Sequence, residues 1–303
     1  MKKVLLFSML IILIPFIVVN IFFKKEEISF SHIDSFKVRI KRADKIDKVY
    51  FEDYIVGVLA GEMPVSFDIE ALKAQAVAAR SYALIKINEN KGKDYDLVDT
   101  VMNQVYLDYE YLKKTWKNDY INNINKIKEA VQKTEGQYLE YKGEIAYTFF
   151  FSTSTGKTEN SEEIFGTEKP YLKSVDSKWD DISPVFTENI FFSKSEFFKK
   201  LSLPSSSILN VNYIETTSTG RNKKIIINNV EFQASKVMEI LNLRSTYFKI
   251  NSENDIIKIV SKGYGHGVGM SQYGAQAMAL KNYKYDEILK YYYQNTKISC
   301  IKK

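Results

Sequence analysis

Glu62 is the first residue whose surroundings suggest chemistry. It stands among Leu59, Ala60, Met63 and Val65, and Pro64 disfavours helix at Met63, so the sequence predicts a break between two helices at this acid. A carboxyl in apolar company has its charged form disfavoured, which raises its pKa toward the range of a general acid. The same residue also fits a solvated glutamate at a helix end. Arg80, eighteen residues on, falls near the apolar stripe of a predicted helix. There a guanidinium either snorkels, pairs with a structural acid, or holds a substrate oxygen or the catalytic carboxylate.

Further candidates follow along the chain. Phe149 to Ser161 runs from an apolar strand end into a loop dense in hydroxyls, including Ser152, Ser154 and Thr158. Such a loop can hydrogen-bond sugar hydroxyls or simply form Ser/Thr turns. Tyr171 and Lys173 would share one face if extended, offering a ring to stack on a sugar and a cation for a carboxylate. Gly263-Tyr-Gly-His-Gly-Val-Gly-Met-Ser-Gln-Tyr-Gly-Ala275 alternates four glycines before Ser271, which can cap a following helix to about Leu280. Val268 and Met270 stand where G-x-G-x-x-G needs its third glycine, which disfavours a dinucleotide. Gly269-Met-Ser271-Gln272 approaches the nucleophile elbow but ends in Tyr273, leaving a Ser271/His266 acyl hydrolase as one alternative. His32 reads as solvated and inert.

The elements that must position these residues are mixed. A helix is predicted over 67–88, capped by Ser66, with Ile69, Leu72, Ala76, Ala79, Ala83 and Ile87 at spacings of three and four. Helices are also predicted over 51–60, 118–134 (Ile121, Ile124, Ile127 and Val131 inward), 194–202 and 285–295. Strands are predicted over 36–42, 208–217, 223–228, 246–251 and 255–261, with a hairpin over 137–151 turning at Lys142-Gly143. Helices and strands cluster rather than alternate, which indicates an α+β fold in one continuous or bilobed unit.

Residues 4–23 carry no charge and are long enough to span a bilayer as a helix. Bulky residues up to Phe23 and the lack of a small-residue cleavage site favour an uncleaved single-pass anchor over a signal peptide. Lys2 and Lys3 ahead of it, against a locally neutral KKEE behind it, predict a cytoplasmic N-terminus and an extracytoplasmic domain. The expected organisation is thus 1–3 cytoplasmic, 4–23 transmembrane, 24–35 a juxtamembrane stalk and 36–303 the catalytic domain.

The 303 residues, 45% hydrophobic with 13 Gly and 5 Pro, exclude wholesale disorder and collagen. One cysteine, Cys300, excludes an intrachain disulfide, and with two histidines it cannot make an ordinary structural zinc site. The net charge of +6 is far short of a nucleic-acid-binding stripe, so no nucleic acid partner is expected.

Taken in order, Tyr54 to Pro64, Glu70 to Tyr82, Gln104-Val-Tyr106, Ser152 to Glu162, Pro170 to Val175 and Gly265 to Ala275 closely resemble the stage II sporulation protein D family, which includes amidase enhancers. The resemblance covers about residues 35–300. It implies a peptidoglycan lytic transglycosylase that cleaves the MurNAc-GlcNAc bond of glycan strands and leaves 1,6-anhydro-MurNAc ends. Glu62 would be the catalytic acid/base. Arg80, Tyr171 and Lys173 would line the cleft, with His266, Ser271 and Gln272 in the most recognisable motif. Action in engulfment during endospore formation is implied, from the mother-cell membrane facing the septal wall, with stage II sporulation proteins P and M as partners. A non-catalytic wall-binding amidase enhancer is the alternative within the family. Some relatives bind zinc through Cys and His near the segments matching 96–106 and 148–158. Neither residue type occurs there in this chain, so no metal or other cofactor is expected.

Overall fold

A computed structural model describes residues 32–301 except 44, 101, 102 and 207. The predicted anchor at 4–23, its flanking charges and residues 24–31 of the stalk lie outside the described residues. Among the described residues no helix is long and apolar enough to cross a membrane.

The chain begins with β1 (Lys37–Arg42) and β2 (Lys45–Tyr50), an antiparallel pair, then turns directly into α1 (Phe51–Glu62) and α2 (Ile69–Glu89). β3 (Leu97–Val98) joins β1 in parallel, and α3 (Tyr109–Trp116) and α4 (Tyr120–Gln132) follow. β4 (Gln137–Tyr141) and β5 (Glu144–Ile145) form the predicted hairpin, and Lys142 and Gly143 both take positive φ in its turn. The hairpin is shorter than expected. Its outgoing strand stops at Ile145, because β6 (Phe150–Phe151) pairs elsewhere, parallel to β13 (Met270–Ser271). α5 (Ser161–Phe165) closes this half of the chain.

Most of the core forms around α2. Ala71, Ala74, Ala76, Ala78, Ala79 and Ala83 are all fully buried, so the helix is enclosed all round instead of burying one stripe. Small side chains allow this, because they let α1, α4 and β4 approach closely together with two later helices, α8 (Gln272–Leu280) and α9 (Tyr285–Tyr292). The cap of α2 is Asp68, whose side chain accepts from the Glu70 N–H at 2.8 Å; the predicted cap, Ser66, lies too early. In α4 the inward row is Tyr120, Ile124, Ile127 and Val131, which leaves Ile121 exposed, contrary to its predicted place.

A second, smaller core is built between residues 187 and 262. β7 (Thr187–Ser193), β12 (Ile256–Lys262) and β11 (Phe248–Glu253) make one antiparallel sheet. β8 (Val211–Thr216), β9 (Asn222–Ile227) and β10 (Val230–Gln233) make another. With α6 (Lys194–Lys200) and α7 (Ala234–Ile240) they enclose Phe197, Phe198, Ile225, Val237, Ile257 and Ile259. The fold is α+β, as expected. β14 (Lys297–Cys300) returns to pair with β4.

Candidate active site

Glu62 is the last residue of α1, and the helix stops there for the predicted reason: Met63, held ahead of Pro64, takes an extended conformation. Two further features fix the acid. Gln272, the first residue of α8, donates from Nε2 to the Glu62 carbonyl at 2.9 Å, satisfying an orphan helix-end oxygen. The Val105 N–H donates to Glu62 Oε1 at 3.1 Å. This amide can reach because Gly57 and Gly61 leave one face of α1 bare. A Cβ at Gly57 would lie 2.4 Å from the Tyr106 ring, and one at Gly61 would lie 3.2 Å from the Val105 carbonyl.

Glu62 lies where two hollows meet. The larger, about 580 Å³, is lined by Met63, Phe67, Phe151, Tyr264, Gln272 and Tyr273 among others. The smaller, about 340 Å³, is lined by Tyr82, Asn103, Gln104, Phe149, Phe165 and His266. Glu62 and Phe150 belong to both. Among the described residues lining them there is no Lys, no Arg and no second carboxylate.

The electrostatics of Glu62 follow from this. Burial pushes its pKa above the ordinary carboxylate value, and the Val105 amide offsets only part of that. Its place at the negative end of the α1 dipole works in the same direction. An acid of this kind can give a proton and take one back near neutral pH.

His266 stands in the smaller hollow among three phenyl rings, with centroid distances of 5.3 Å to Phe165, 5.7 Å to Phe151 and 6.1 Å to Phe149. Burial, helped by the charge of Arg221, pushes its pKa down to about 4, so the ring is neutral in use. Its Nδ1 accepts from the Val268 N–H at 3.0 Å, which assigns the proton to Nε2. Ser152 lines the larger hollow, where the β6–β13 pairing brings it beside the glycine segment.

Glu62, Ser152, His266 and Gln272 therefore share one cleft; the other expected site residues do not. Arg80 is fully buried, bidentate to Glu52 at 2.9 and 2.6 Å and bonded to the Gln137 carbonyl at 2.9 Å. Its position on the enclosed helix α2 gives it no surface to offer a sugar. The Tyr171 ring packs on Tyr141 at 4.9 Å, and its hydroxyl accepts from the Tyr147 N–H. Lys173 pairs with Glu162 and Glu168, both at 2.6 Å, and lines neither hollow.

Ser154 and Thr158 are buried in loop-to-loop hydrogen bonds with the Ser177 carbonyl and the Val175 N–H. Ser271 does cap α8, accepting from the Gly274 N–H at 3.2 Å, but it is fully buried and donates to Asp180. A hydroxyl so enclosed is not an accessible nucleophile, and the Ser271/His266 acyl hydrolase is discarded. Among the described residues no group of three or more His, Cys, Asp or Glu is placed to hold a metal ion.

The family model described as "SpoIID: Stage II sporulation protein" matches residues 39–141, which carry Glu62 and Gln104. Stage II sporulation protein D of Bacillus subtilis (strain 168) is 40% identical over 261 residues, covering 84% of this chain and 76% of that one. The protein of the same name from Bacillus amyloliquefaciens is 40% identical over 259 residues, covering 84% and 75%. This chain belongs to the stage II sporulation protein D family. The amidase enhancer of Bacillus subtilis (strain 168) is also similar, at 29% identity over 298 residues, covering 80% of this chain and 40% of that one. In this sporulation-family chain, the matched segment supplies the helix break and the Val105 amide. The glycine segment lies beyond it and brings His266 and Gln272.

Sequence reasoning did not assign Tyr82, Asn103, Gln104, Phe149, Phe165 or Tyr264 to the cleft. Most of them lie in or beside segments whose likeness to the family was legible. Nothing in residue type alone marks a tyrosine or a phenylalanine as wall rather than core.

Proposed function

We propose that this chain is a peptidoglycan lytic transglycosylase that cuts glycan strands between N-acetylmuramic acid and N-acetylglucosamine. The observation that carries the reading is a carboxyl between two sugar-sized hollows whose described lining holds no other carboxylate and no cation. Ordinary glycosidases need a second carboxylate across the bond, as nucleophile or as base for water. The lining offers none. A lytic enzyme needs only one acid because the substrate supplies its own nucleophile.

In this scheme Glu62 gives its proton to the glycosidic oxygen as the C1–O bond breaks. The 2-acetamido carbonyl of the muramic residue supports the oxocarbenium-like carbon. The Glu62 carboxylate then takes the proton of the muramic 6-hydroxyl as O6 bonds to C1. The 1,6-anhydro ring closes, no water is consumed, and the enzyme returns with its proton. Val105 holds the carboxyl in place for both transfers, and Gln272 holds the helix end that bears it. The neutral, aromatic walls suit pyranose rings, which stack on aromatic faces.

The test is the mass of the cut ends after digestion of purified strands. Anhydro ends, one water lighter than reducing ends, are expected; reducing ends reject the scheme. The similarity to an amidase enhancer favours one second reading, a wall-binding module without catalysis. Strands free of stem peptides, digested with no amidase present, separate the two, because the module would leave them intact. We propose further that residues 4–23 hold the protein at the membrane with the cleft facing the septal wall, and that stage II sporulation proteins P and M are its partners in engulfment.

A further inference from the structure

We propose that the β8–β9 turn of the second core is the positioning element of the smaller hollow, holding the loop that bears His266 and the helix that bears Phe165. The turn spans residues 217–221 and reaches across to both walls. Arg221, only 1% exposed, donates from Nη1 to the Gly265 carbonyl at 2.7 Å, directly before His266. On its other side the guanidinium meets the buried Glu159, with Nε 3.2 Å from Oε1. Glu159 in turn accepts from the Thr219 hydroxyl, and its N–H donates to the Gly267 carbonyl at 2.8 Å, directly after His266.

Ser218 performs the same service for α5. Its N–H and hydroxyl donate to Glu163 at 2.7 and 2.6 Å, and Phe165 follows two residues later at the end of that helix. The fit beneath the loop leaves no slack. Gly267 has φ +89°, and a Cβ there would lie 2.7 Å from Glu159 Cγ and 2.8 Å from Arg221 Nη2.

A buried ion pair is by itself weak evidence for stability, because desolvating both charges offsets much of their attraction. What the pair does hold is the carbonyl on one side of His266 and, through Glu159, the backbone on the other. The groups facing His266 are Glu62 and Tyr82 across the hollow and Arg221 beneath the loop, with Glu159 behind it. Arg221 is the cation among them, and its charge helps burial to keep the imidazole neutral.

The consequence for cleavage rests on the proposed function; the readout below does not. The chain has two histidines, His32 and His266, so the full protein in detergent, labelled with ε1-¹³C-histidine, gives two signals assigned by His32→Asn. In wild type the His266 signal is expected to titrate at about 4. In Glu159→Gln/Arg221→Met, which removes both charges together, the midpoint is expected to rise by about one unit or more toward the ordinary value of about 6.5. An unmoved midpoint in the folded variant overturns the proposal. If that variant does not fold, Ser218→Ala/Thr219→Val releases the turn without stripping a buried charge, and an unmoved His266 signal there overturns it equally. A shifted midpoint in a protein whose wild type cuts no glycan leaves the positioning role standing and removes the proposed chemistry.

Discussion

Helix α1 carries a glutamate near each end, and the two have opposite lives. Glu52, in the first turn, is 1% exposed; it takes two hydrogen bonds from Arg80 and one from the Gly136 N–H at 3.1 Å. Glu62, the last residue, is half-buried, and among the described residues its carboxyl receives only the Val105 N–H. The helix dipole favours a carboxylate at the first position and disfavours one at the second. Burial alone therefore does not mark a reactive acid. What marks it is burial without a compensating cation, since that is the condition under which a carboxyl keeps its proton.

The comparison can be broken most severely at Glu62 itself. Glu62→Gln keeps the size and the Val105 hydrogen bond but cannot transfer a proton, so strand cleavage should fall by roughly 10²- to 10⁴-fold, read as release of soluble fragments. Cutting at wild-type rate by this variant would mean that the acid lies elsewhere. At the other end of the helix, Arg80→Ala should leave Glu52 charged and buried, costing about 3–5 kcal/mol in denaturant unfolding. Glu52→Gln/Arg80→Met should recover much of that loss. If Arg80→Ala instead folds normally and only weakens glycan binding, Arg80 belongs with the substrate after all.

A milder change converts one kind of acid into the other. Asn103→Lys puts a cation into the hollow that Glu62 lines, lowering its pKa by about one unit and slowing cleavage about tenfold at neutral pH, with the optimum moving to lower pH. The smallest effect is on stability. Because the folded-state pKa of Glu62 is raised, the folded protein holds a proton that the unfolded chain gives up above the ordinary carboxylate value of about 4.3. Ionised Glu62 therefore costs stability as pH rises through that window. Glu62→Gln should melt at a higher temperature than wild type at neutral pH, and the gain should vanish below about pH 4.

How much of this was legible from residues alone depends on what each residue had to say. The break at Glu62 was readable, since Pro64 dictates it locally, and so was the cap at Ser271. The identity of the Arg80 partner was not, because Glu52 lies 28 residues away and acids are common on helix surfaces. The all-round burial of α2 escaped a reading based on one apolar stripe, since alanines suit either environment. Tyr171 and Lys173 were expected on one extended face, whereas the chain there is irregular and sends one inward and one to a pair of acids. Helix α3, strand β7 and helix α7 were missed, and with β7 went part of the sheet framing the second core. Arg221 had no local signal at all: its role depends on a turn meeting a loop more than forty residues later.

The measurement closest to the central claim is a ¹³C carboxyl titration of Glu62 in the full-length protein, assigned with Glu62→Gln. A midpoint clearly above the ordinary glutamate value of about 4.3 is the predicted result. A midpoint at or below that value would show a carboxyl that gives up its proton as readily as one in water, and would contradict its role as the acid of the cleft.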